Sequence, residues 1–194
     1  MIMATAAGSA GLWYLSRASG LVLLALFSAV VVLGVAIRTG SAPRGWPRFA
    51  VAELHRTLSL FAVALLALHV VTAMLDPFVT IGWAATLLPF LSPYRTLAIG
   101  LGTLAVDLAG AVLVTSLARR RLGQRAWRAV HWLAYLAWPA AFLHSLTAGG
   151  DLGIWWVALV EIGSGVAVST AVLVRLIGRA RGGPRYPRSA VRTS

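Results

Sequence analysis

The hydrophobic positions of this chain fall into long, nearly unbroken runs. Five runs stand out, roughly Leu12 to Ile37, Ala50 to Leu75, Tyr94 to Leu117, Ala126 to Thr147 and Ile154 to Ile177. Each is long enough to cross a hydrocarbon layer of ~30 Å at ~1.5 Å per residue. Backbone polar groups in lipid must be satisfied within their own segment, which predicts helices. The strict alternation that would mark a membrane barrel is absent. The stretch 76–93 is also apolar, but Pro77, Gly82, Pro89 and Pro93 interrupt it. It reads as an interfacial or re-entrant segment rather than a sixth span. The expected fold is an all-α integral membrane protein, a bundle of five transmembrane helices within residues 1–178, followed by a basic, disordered tail over 179–194.

Composition sharpens this picture. Of 194 residues, 59% are hydrophobic and 11% charged, against about 25% charged in a soluble domain. The formal charge of +12 could suggest nucleic acid, but all 17 basic residues are arginines and they cluster at the ends of apolar runs. That placement is the signature of membrane topology and sets nucleic acid aside. In a five-span arrangement 15 arginines fall on one side, and only Arg17 and Arg95 on the other. Positively charged loops stay inside, so the expectation is an external N-terminus and a cytoplasmic C-terminus in a multi-pass protein of the plasma or inner cell membrane. Arg17 ahead of a long apolar stretch within the first run resembles a signal-peptide start. The run continues to Ile37 and is followed by Arg38, Arg44 and Arg48, which favours a retained helix. There is no cysteine, which excludes disulfides, iron–sulfur clusters, thiolate zinc sites and covalently attached haem.

The candidate chemistry lies in four histidines, all within spans. His55 and His69 are 14 residues apart on the second, and His131 and His144 are 13 apart on the fourth. An ionisable residue in a span is costly and points to function. Helical rise separates each pair by ~20 Å. The second and fourth spans run in the same direction, so His55 and His131 share a depth near the cytoplasm, and His69 and His144 share one near the outside. Two facing histidine pairs are what two six-coordinate haems require. With two histidines per level, and no carboxylate or thiolate to complete either set, zinc or copper fits less well. Ser59, Ala62, Leu66 and Ala73 share the histidine face of the second span; small residues there leave room for a macrocycle, although close helix packing also favours them. On the fourth span, 13 residues leave His144 about 140° off the face of His131 on an ideal helix. Pro139 lies between them, and a kink there is expected to restore the phase.

The runs LHRTLSLFAVALLALHV, DPF, SPYR and VTSLARRRLGQRAWRAVHWLAYLAWPAAFLHSLTAGGD resemble the ferric reductase-like transmembrane domain. That family includes ferric reductases, the membrane part of NADPH oxidases and the haem subunit of a bacterial methionine-sulfoxide reductase system. The resemblance covers roughly residues 12 to 178. It implies paired helices holding two non-covalent b-type haems, with His55, His69, His131 and His144 as iron ligands, and electrons moving from the cytoplasm outward. The implied function is a membrane cytochrome for electron transport, an oxidoreductase component. Its partners would be a cytosolic flavin reductase or other flavoprotein donor and an extracytoplasmic acceptor, ferric iron or a redox protein. No stretch here offers a flavin–nucleotide module, so the chain is not expected to be self-sufficient, and flavin would enter only through a partner. A haem-free scaffold or small transporter subunit is the alternative.

Other residues take supporting parts. Haem propionates need donors near the interfaces, and arginine suits them. Arg17 and Arg95 are candidates at the outer level, and Arg56, Arg125 and Arg128 at the inner one, where positive-inside anchoring explains Arg125 and Arg128 as well. Asp107, mid-span, reads as a proton carrier or a hydrogen bond between helices, and Glu161 as a partner of Arg17 or Arg95. Glu53 is expected to pair with Arg56 or Arg48. Tyr135, Trp138 and Phe142 lie between the two histidine levels, as a bridge or as packing.

Overall fold

In a computed structural model, residues 2–41, 46–79, 81–149 and 152–180 are described, with backbone only for 2–9, 179 and 180. Seven helices run in order: α1 (Ile2–Thr39), α2 (Arg48–Leu75), α3 (Trp83–Leu87), α4 (Thr96–Leu117), α5 (Arg119–His131), α6 (Ala134–Gly149) and α7 (Trp155–Ala180). No strand occurs among the described residues. Four helical stretches are long and apolar enough to cross a bilayer: Ala10–Thr39, Arg48–Leu75, Thr96–Leu117 and Trp155–Gly178. They correspond to the first, second, third and fifth expected spans. α7 extends to Ala180, so the boundary expected at 178 falls inside a helix; the rest of the expected tail, residues 181–194, lies outside the described residues.

The fourth expected span, Ala126 to Thr147, is not one helix. It divides at Trp132 and Leu133 into the end of α5 and all of α6. The turn is tightened by three-residue bonds, Leu133 N–H to Val130 O at 2.8 Å, Tyr135 N–H to Trp132 O at 3.0 Å and Leu136 N–H to Leu133 O at 3.0 Å. The change of phase expected at Pro139 therefore occurs upstream, and Pro139 stays inside α6. The reason lies in proline's geometry: it cannot donate to the Tyr135 carbonyl and its ring crowds that group. The turn preceding Tyr135 gives way, and the helix C-terminal to it remains regular.

α1 is the central element, packing along α2 and against α6 and α7, while α4 packs on α6 and α5. α2 and α6 are not packed against each other. Tight contacts are few and mix apolar with polar groups. Val31, Trp138 and Val168 form a core where α1, α6 and α7 meet, and Trp138 Nε1 donates to Ser28 Oγ at 2.9 Å. Val114, Leu159 and Ile162 point outward, each more than half exposed. This is the distribution expected where lipid solvates the apolar surface, and small residues and hydrogen bonds hold helices together.

The segment 76–93 forms no sixth span, as expected from its prolines. The Asp76 carboxylate accepts the Phe78 N–H at 2.9 Å, and Thr103 Oγ1 ties α4 to α3 through the Ala85 carbonyl at 2.8 Å. Phe90 has a φ of 66°, and its ring covers Gly100 so closely that an added Cβ would lie 2.2 Å from Phe90 Cδ1. Gly100→Val should therefore expel the ring and lower stability in detergent by on the order of 1–3 kcal/mol. Gly110→Val, where nothing lies within 4 Å of the added carbon, should unfold close to the parent. Thermal unfolding of the two variants checks this.

Candidate haem-binding cavity

Because α2 and α6 stand apart while α1 and α4 bracket them, the bundle encloses a cavity of about 1820 Å³. A pocket for one drug-sized ligand is about 300–1,000 Å³, so the space suits two large flat groups. All four histidines line it, as do Arg17, Arg56, Arg95 and Arg128. The stripe of Ser59, Ala62, Leu66 and Ala73 on α2 faces it too. Arg125 is not among its lining residues.

The histidines meet in two pairs across the cavity. The rings of His55 and His131 are 6.4 Å apart between centroids with planes at 65°, and those of His69 and His144 are 6.2 Å apart at 77°. Whether an iron fits between them is a matter of bond lengths. Two imidazoles bound to opposite sides of one metal, with metal–nitrogen bonds of about 2.0–2.1 Å, have ring centres about 6.3 Å apart. Both spacings match. Among the described residues no group of three or more His, Asp or Glu side chains converges, so each level offers two protein ligands. This suits a macrocycle that fills four equatorial positions itself.

Three of the four rings are locked from behind. His69 Nδ1 lies 2.8 Å from the Ser16 carbonyl, His55 Nδ1 3.0 Å from that of Val30, and His144 Nδ1 2.7 Å from that of Ala98. A carbonyl can only accept, so Nδ1 carries the proton in each case and Nε2 keeps a free lone pair. This is the outer hydrogen bond that orients metal-bound histidines. Glycines make the approach possible. A Cβ on Gly20 would stand 2.8 Å from His69 Cε1, one on Gly34 3.4 Å from His55 Cε1, and one on Gly102 2.7 Å from His144 Cε1 and Nδ1. Sequence reasoning missed these seats. The signal was present, since Gly20 and Gly34 are 14 residues apart, as are His55 and His69.

The arginines occupy the two ends. Arg17 donates to the carbonyls of Ala148 (3.5 Å) and Gly149, and Arg95 to those of Thr147 and Ala148, both at 3.2 Å. Both therefore complement the carbonyl end of α6 while lining the cavity. At the other end Arg128 Nε donates to Gln124 O at 3.1 Å, and Arg56 faces Glu53 at 3.7 Å. Arg175, which sequence reasoning did not single out, stacks over Trp132 and Tyr135 at 4.2 and 4.8 Å and donates to the Tyr135 hydroxyl. It braces the helix break.

The other candidate residues take the following places. Trp138 and Phe142 stack on each other, ring centres 5.1 Å apart, and belong to the α1–α6–α7 packing rather than the cavity; of the three aromatics only Tyr135 lines it. Asp107 lies on the exposed side of α4 and makes no hydrogen bond between helices. Glu161 is buried and accepts the Ser145 hydroxyl at 2.8 Å through one oxygen, the other having no partner.

Compared with known proteins, residues 19–142 match a family described as "Ferric reductase like transmembrane component". No curated protein and no solved structure matches the chain at a significant level.

The glycine seats yield a sharp expectation for a family that binds haem. Gly102→Val drives a branched side chain into the His144 ring. Haem absorbance per protein should fall by about half if His144 holds one of two groups, while Gly163→Val, with open space at that position, should retain the parent spectrum. The pyridine haemochrome assay on purified variants decides between these outcomes.

Proposed function

The chain belongs to the ferric reductase-like transmembrane family of membrane redox components, and we propose that it is a di-haem b-type cytochrome carrying electrons across the membrane. The observation that supports this most is the spacing of the two histidine pairs, 6.4 and 6.2 Å between ring centres, at which one iron fits each pair. His55 and His131 would hold the inner haem, and His69 and His144 the outer. Held there, haem would supply one-electron chemistry.

The chain's own residues do the rest. Ser16, Val30 and Ala98 carbonyls hold three imidazoles with Nε2 aimed into the cavity. Fourteen residues of helix set the two levels ~21 Å apart along α2, and the space between is lined mostly by apolar side chains. Arg17 and Arg95 offer charge to propionates at the outer end, and Arg56 and Arg128 at the inner. The fifth crossing is α6 with the end of α5.

Direction follows from charge. The His55–His131 end carries exposed Arg38, Arg56, Arg119, Arg120 and Arg128 along the cavity mouth, which the positive-inside preference assigns to the cytoplasm. A cytoplasmic flavoprotein with an acidic docking face would be steered there, with rates that fall as salt screens the attraction. At the other end the acceptor is ferric iron or a redox partner protein.

His55→Ala and His131→Ala should remove the same haem, and His69→Ala and His144→Ala the other, each leaving one haem per chain against two in the parent. Dithionite-reduced difference spectra with haem quantification read this directly. Four variants that each keep two haems would refute the assignment.

A further inference from the structure

Three of the four histidines obey one seating rule, and the fourth breaks it. His69, His55 and His144 each donate to the carbonyl of the residue four before a glycine: Ser16 before Gly20, Val30 before Gly34, Ala98 before Gly102. On α1 the two seats are 14 residues apart, a spacing that returns to within about 40° of the same helix face. On α4 the residue 14 beyond Gly102 is Ser116. The seat belonging to His131 is thus occupied by a side chain. The Ser116 hydroxyl accepts Trp127 Nε1 at 3.3 Å, the Trp127 ring packs on His131 with centres 5.0 Å apart, and His131 Nδ1 is buried with no partner. His131 is also the last residue of α5, next to the break at Trp132 and Leu133.

We propose that the two haem sites are unequal by construction: the His69–His144 site is preformed, whereas the His55–His131 site is completed only when haem binds, with Ser116 and Trp127 as the positioning residues that hold His131 off the seat its counterparts use. This rests on the di-haem reading above. A ring without an acceptor at Nδ1 has neither its tautomer nor its rotation fixed, so the ordering must occur on binding. His69 and His144 are both fixed beforehand; of the inner pair only His55 is. Loss of such an outer hydrogen bond typically weakens metal binding by about 10- to 100-fold.

The test uses the full-length, haem-loaded protein in detergent with excess apomyoglobin as haem acceptor. The two haems are told apart by their reduced spectra, assigned beforehand with His131→Ala and His144→Ala. The haem of the His55–His131 site should leave about tenfold faster or more. Ser116→Gly, which opens the seat, should slow that release toward the rate of the other haem and leave the other unchanged. Release at equal rates, or earlier loss from the His69–His144 site, would overturn the inference in the parent protein alone, whatever the variant does. A protein that takes up no haem would overturn the di-haem reading as well, whereas two haems released together would overturn only the inequality.

Discussion

An imidazole inside a lipid-embedded bundle is best held when its N–H is satisfied and its other nitrogen stays available, and the settings of His55, His69 and His144 follow from that constraint. A polar group left unpaired in hydrocarbon costs several kcal/mol. Backbone carbonyls within helices are the acceptors at hand, and they are reached only where no side chain intervenes. Gly20, Gly34 and Gly102 open that approach for His69, His55 and His144. A ring so held presents Nε2 to the cavity, so one hydrogen bond settles burial, tautomer and aim together.

The helix arrangement serves the same end. α1 pairs with α2 and α4 with α6, so the helices bearing His55, His69 and His144 are backed by helices that supply carbonyls and glycine, and only His131 on α5 is not. The two backed pairs meet at the core around Val31 and Trp138 and are otherwise held apart by the cavity. That is tolerable in a bilayer, because lipid rather than burial accommodates Leu159, Ile162 and the other outward apolar groups. Charge is left to the ends, where arginines both anchor the bundle and line the cavity mouths.

Much of this was legible in the sequence. Unbroken apolar runs, arginines at their ends and four histidines at matched depths pointed to a helical membrane protein with two facing pairs, and the structure brings those side chains into one cavity. Other features were hidden for physical reasons. The position of the helix break depended on where strain from Pro139 is relieved, and the chain relieves it at Trp132 and Leu133, where Arg175 from α7 can brace it. Sequence spacing says nothing of that distant brace. Trp138 and Phe142 take the packing role, one of the two the sequence left open. Asp107 was taken for a group inside the bundle, yet α4 is a helix at the bundle's side, and depth along a helix does not reveal which way a residue points. The glycine seats were overlooked because glycine in a membrane helix is common; only the equality of two 14-residue spacings distinguishes them.

Each haem would be clamped between two histidines, whose rings stand at 77° in the fixed His69–His144 pair and at 65° in the His55–His131 pair before haem orders it. Electron paramagnetic resonance of the oxidised protein at low temperature tests this clamping most directly, because crossed axial imidazoles give ferric haem a highly anisotropic low-spin signal. The account predicts two such low-spin species and no high-spin component. A high-spin signal, a single species, or no haem signal from correctly folded protein would contradict it.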